Sequence, residues 1–130
     1  MGPPRILLVE PQFVLRRTLV AVGRDLGVVE FHEAASLERA RMLLDVEAFH
    51  GLVLDFQDSD RALILLDELR KGGFASAPDA HVVVLAAALR PDEERRLQGV
   101  GVSMVLQRPF KIGQLLECLA SGCAVPKALV

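Results

Sequence analysis

Five short apolar runs punctuate this chain, at residues 6–9, 28–32, 51–55, 82–85 and 103–106. Each is followed by a longer segment whose apolar residues recur with helical period. Runs that are apolar along their length suit strands buried on both faces, as in a parallel sheet. Strict alternation of such runs with helical segments predicts an α/β fold: one doubly wound, five-stranded parallel sheet with five helices packed on its two faces.

The helices are bounded by ordinary stop and start signals. The first is predicted over 13–26, with Phe13, Val14, Leu15, Leu19, Val22 and Leu26 as its apolar set and Gly27 ending it. Ser36 is placed to cap a second helix reaching about residue 48. Ser59 or Asp60 would cap a third, burying Leu63, Leu66 and Leu69 and ending before Gly72-Gly73. Pro91 followed by Asp92-Glu93-Glu94 opens a fourth, since proline fits the first helical turn and acids complement its dipole. The fifth starts at Ile112 and runs to about residue 121, with Leu115, Leu116 and Leu119 inward. Residues 1–122 form one expected domain, and 123–130, broken by Pro126, a tail or the start of a linker.

At 130 residues and 52% hydrophobic, the chain can bury a real core and is not expected to be disordered. A net charge of −2 gives no general attraction to nucleic acid, and its only aromatics are six phenylalanines, few platforms for base stacking. The arginine pairs Arg16-Arg17, Arg39/Arg41 and Arg95-Arg96 are mixed with acids and read as solvated helix faces. Cys118 and Cys123 fit neither a disulfide framework nor a zinc spacing, which points to a reducing, cytoplasmic setting. No apolar run approaches membrane-spanning length. His32, His50 and His81 stand at element ends without metal-ligand spacing. The turn after the first strand, Pro11-Gln12-Phe13, lacks the glycines of a phosphate cradle. No nucleophile–base arrangement suggests an enzyme.

Three strand ends carry the chemistry. Glu10 follows the first, Asp55 closes the third, and Arg108-Pro109-Phe110 follows the fifth. In an open α/β sheet these ends share one edge, the edge where ligands bind. Asp55 alone would read as a helix cap or a solvated acid; two acids and a base from three strand ends read as a crevice.

Leu8-Val9-Glu10, Leu52-Val53-Leu54-Asp55 and Arg108-Pro109-Phe110, in this order and spacing, resemble the receiver domain of bacterial response regulators over about residues 5–122. The resemblance implies sheet order 2-1-3-4-5. It also implies a phosphoacceptor role for Asp55, Mg²⁺ held near Glu10, Asp55 and Gln57, and a cytoplasmic signalling role with a sensor kinase or a downstream output protein as partner. A homodimer is a further option. The face expected to meet partners covers about 91–98, 103–106 and 112–121. The peptide before Pro109 is a candidate for the cis form.

The chain departs from that family's pattern around Asp55. Where the family has a pair of acids, this chain has Glu10-Pro11. Where it has a hydroxyl after the fourth strand, this chain has Ala86. Arg108 replaces lysine, and Val105 replaces an aromatic switch residue. Two readings follow. In one, Asp55 and Arg108 form a standing ion pair, and a degenerate receiver works by protein–protein interaction. In the other, Asp58 or Asp60 provides the missing acid and Asp55 is phosphorylated by a histidine kinase at an atypical Mg²⁺ site.

Overall fold

The computed structural model describes residues 2–124, the last two by backbone alone. Ten elements alternate in chain order: β1 Arg5–Val9, α1 Phe13–Leu26, β2 Glu30–Ala34, α2 Leu37–Val46, β3 Gly51–Asp55, α3 Ser59–Arg70, β4 His81–Ala86, α4 Pro91–Gly99, β5 Met104–Gln107 and α5 Ile112–Ala124. All strand pairs are parallel, in the order β2-β1-β3-β4-β5. The order reverses between β1 and β3, so Glu10 and Asp55 flank the switch point, where sheets of this kind open a crevice.

Strand alternation sorts the core into two layers. Leu7, Val9, Leu52, Leu54, Val82 and Val84 point to one face and pack with Leu44 of α2, Leu66 of α3 and Leu97 of α4. Ile6, Leu8, Val53, Val83, Leu85 and Leu106 point to the other and pack with Leu19 of α1 and Leu115 and Leu119 of α5. Each of these side chains is worth about 1.5–3 kcal/mol when fully buried. The runs must therefore be apolar at every position, which is why they stand out in the sequence.

The differences from expectation have local causes. The strand expected over 28–32 is shifted to Glu30–Ala34. Gly27 closes α1 at φ 68°, and Val28-Val29 then return the chain to the sheet, with Val29 buried but outside the ladder. The second helix ends at Val46 rather than near 48, because Glu47 turns to extended backbone and sends Phe49 into the core. Asp58, not Ser59 or Asp60, caps α3, its carboxylate accepting from the Arg61 N–H at 3.4 Å. Along α1 the apolar stripe is only partly used: Leu19 is buried, whereas Phe13, Val14 and Leu26 are exposed. α5 includes residues 123 and 124 of the expected tail, and 125–130, with Pro126, lie outside the described residues. No helix among the described residues is long and apolar enough to cross a membrane.

Candidate functional site

β1 delivers Glu10 to the crevice floor. Its N–H donates to the Ala34 carbonyl at 3.1 Å, extending the pairing with β2 by one residue. The side chain is 1% exposed. One carboxylate oxygen, Oε2, accepts from the Gln12 N–H at 2.9 Å, and this bond turns the chain through Pro11 into α1. The Glu10 carbonyl accepts from Arg16 Nη1 at 2.9 Å, while Arg16 Nε pairs with Glu33 at 3.0 Å. Arg16 is therefore largely buried and holds α1, β2 and the Glu10 turn together, rather than lying on a solvated face as expected. Nothing in the sequence sets it apart from Arg17.

β3 ends on Asp55, opposite Leu85 of β4. Its side chain is 11% exposed, and Oδ2 accepts from the Gln57 N–H at 3.2 Å. Gln57 thus reaches the site through its backbone. Asp58 and Asp60 are engaged elsewhere: Asp58 in the α3 cap, Asp60 with Arg96 at 3.8 Å.

Arg108 follows β5. Its N–H donates to the Ala86 carbonyl at 2.8 Å, fixing the backbone against the end of β4. The next peptide, Arg108–Pro109, is cis. The guanidinium carbon stands 5.9 Å from the Phe110 ring centroid. A single nitrogen, Nη2, donates to Asp55 Oδ1 at 2.6 Å and also to Glu10 Oε1. Burial pulls this guanidinium toward its neutral form, but the hydrogen bonds and charges of Glu10 and Asp55 outweigh burial, so its pKa stands above the ordinary arginine value. Two carboxylates around one guanidinium leave the cluster one net negative charge.

Every carboxylate oxygen in the cluster is engaged: two by Arg108, one by Gln12 and one by Gln57. Mg²⁺ requires six oxygen ligands in strict octahedral geometry. Pro11 brings no side-chain oxygen, and among the described residues no group of three His, Cys, Asp or Glu side chains is placed to hold a metal. The residues as arranged do not fit that ion. Above the cluster a cavity of about 460 Å³ opens, bordered by Ser59, Ala86, Ala87, Ala88 and Glu93. A neighbouring cavity of about 440 Å³ lies on the far side of the same alanine loop, lined by Leu89, Leu97, Val102 and Val105 with Glu94 and Gln98.

No protein-family profile matches the chain, and no curated protein matches it. Solved structures do. A receiver domain protein from Methanospirillum hungatei superposes with a TM-score of 0.83 at 17% identity, covering 95% of each chain. A response regulator from Thermotoga maritima gives 0.79 at 20% identity, over 95% of this chain and 99% of that one. The receiver domain of a sensor histidine kinase from Pseudomonas aeruginosa, with magnesium coordinated in its active site cleft, gives 0.77 at 24% identity, over 95% and 100%. The fold is the one shared by response regulator receiver domains.

Proposed function

We propose that this chain is a receiver-type signalling module of a two-component pathway that works by binding a partner protein in one standing conformation. The carrying observation is Asp55, held by Arg108 at 2.6 Å and by the Gln57 N–H at 3.2 Å. A phosphoacceptor carboxylate needs a free oxygen and neutralising positive charge around the incoming group. This crevice offers an engaged carboxylate in a cluster of net negative charge.

The contacts that would turn phosphorylation into a conformational change are missing as well. A ligand shifts a two-state equilibrium only through contacts that differ between the states. Ala86 has no hydroxyl to follow a phosphoryl oxygen, and Val105 has no ring to reorient. The cavity beside Val105, lined by apolar side chains together with Glu94 and Gln98, lies on the α4–β5 face, where a partner side chain has room to enter. The partner is a sensor kinase or a downstream output protein, and the setting is cytoplasmic.

The test is incubation with acetyl phosphate and MgCl2, read by intact mass. No phosphoryl adduct is expected. A stoichiometric adduct that disappears in Asp55→Asn would overturn the reading in favour of a working phosphoacceptor.

A further inference from the structure

We infer that the Arg108 guanidinium is the resident cation of the crevice, and that Glu10 and Asp55 form a divalent-cation site which Arg108 keeps shut. The inference deepens the reading of a static module, and rests on it only for its signalling context.

The argument is geometric. Carboxylates from the ends of β1 and β3 converge on one atom, Nη2 of Arg108. Convergence of two buried carboxylates on a point is what a metal ion requires, and a cationic nitrogen occupies that point. Like charges placed this close are unfavourable unless a cation lies between them. The other oxygen of each carboxylate accepts from a backbone N–H, of Gln12 and Gln57, so each has a second anchor besides Arg108. Arg108 is itself anchored from behind, its N–H on the Ala86 carbonyl. A planar, always-charged side chain on an anchored backbone is a poor leaving group for an incoming ion. Pro11 adds to the exclusion, because it withholds the further carboxylate with which an ion could compete.

The consequence is a gain of function on truncation. Removing the guanidinium leaves two converging carboxylates with their orienting N–H donors intact, and a cation should then bind. Returning an acid at position 11 should tighten that binding roughly tenfold, since ligand charge sets affinity in oxygen-donor sites.

The experiment is a titration of the full chain with MgCl2, followed by backbone amide NMR. In the wild type the amides of Gln12 and Gln57 are expected not to move saturably at millimolar metal. In Arg108→Met they should shift saturably, more tightly with Pro11→Asp added, and not at all with Asp55→Asn added. Arg108→Lys, which keeps a positive charge in the crevice, should bind more weakly than Arg108→Met. Should Arg108→Met be unfolded without metal, Mg²⁺-dependent refolding supports the inference. Saturable shifts in the wild type overturn it, as does a folded but metal-blind Arg108→Met. An unfolded Arg108→Met that metal does not restore, with a metal-blind Arg108→Lys, also overturns it. Wild-type protein that ignores Mg²⁺ yet takes a phosphoryl group on Asp55 would sink the proposed function and leave this inference standing. Wild-type protein that binds Mg²⁺ yet takes no phosphoryl group would do the reverse.

Discussion

Arg70 Nε donates to the Val100 carbonyl at 2.7 Å, across thirty residues of chain. The same guanidinium donates to the carbonyls of Pro78, Ala80 and Gly101 at 2.8, 2.7 and 2.9 Å. One side chain at the end of α3 thus ties down the loop before β4 and the loop before β5. Burial holds its pKa below the ordinary arginine value, and the charge of Asp79 opposes that only in part. The interaction rests on hydrogen-bond geometry more than on charge.

Arg70→Met should therefore destabilise the fold by about 3 kcal/mol. That is less than the sum of four charged hydrogen bonds, because they share one group and water can reach some of the freed carbonyls. Arg70→Lys should recover little, since an ammonium cannot span four carbonyls in two loops. Urea denaturation checks both, and faster hydrogen exchange at Val102, whose N–H bonds the Leu97 carbonyl, would locate the damage.

Arg108→Met should cost about 3 kcal/mol at neutral pH without metal, the usual penalty for leaving buried carboxylates uncompensated. In the wild type Arg108 has a raised pKa, and its contribution is complete below the ordinary arginine value and lost only above it. Urea midpoints of variant and wild type should therefore stay apart throughout the neutral range. Coincident midpoints would count against the ion cluster as a source of stability.

Much of this crevice was legible because parallel strands put their C-terminal ends on one edge. Glu10, Asp55 and Arg108 could be grouped from three apolar runs alone, and β3 was bounded correctly at both ends by Gly51 and Asp55. The edge strand β2 was displaced by two residues because Val28-Val29 look like a strand, whereas Val29 only fills the gap between α1 and the sheet. What stayed hidden is what depends on reach. The N–H groups of Gln12 and Gln57 aim at carboxylates two residues back, a turn geometry that residue type does not announce. Arg16 and Arg70 look like any surface arginine, yet Arg16 finds the Glu10 carbonyl and the Glu33 carboxylate, and Arg70 finds four carbonyls in two loops.

Gly122→Ala should destabilise despite improving helix propensity by roughly 1 kcal/mol. A Cβ there would run into the His81 ring at the start of β4. Overpacking of this kind costs about 1–3 kcal/mol, so a net loss of roughly 1 kcal/mol is expected. In a double-mutant cycle, His81→Ala should remove most of the penalty. Additive effects would show that the clash does not set the cost.

The last prediction reverses the proposed function. Pro11→Asp adds an acid beside Glu10, Arg108→Lys replaces the guanidinium nitrogen that bridges Asp55 and Glu10 with a more mobile ammonium, and Ala86→Thr places a hydroxyl at the end of β4. Ala86 borders both cavities flanking the alanine loop, so the added atoms have space. A hydrogen bond to a charged group is worth about 1.5–3 kcal/mol, or roughly a ten- to a hundredfold shift in an equilibrium. The triple variant should accept a phosphoryl group from acetyl phosphate in the presence of Mg²⁺, and Asp55→Asn in that background should abolish it. Pro11→Asp with Arg108→Lys should already label, because those two changes open the metal site; Ala86→Thr should mainly enlarge the amide shifts that labelling produces. If none of the combinations labels while all remain folded, the barrier lies outside these three positions, and the loop of Gln57-Asp58-Ser59 after β3 becomes the place to look.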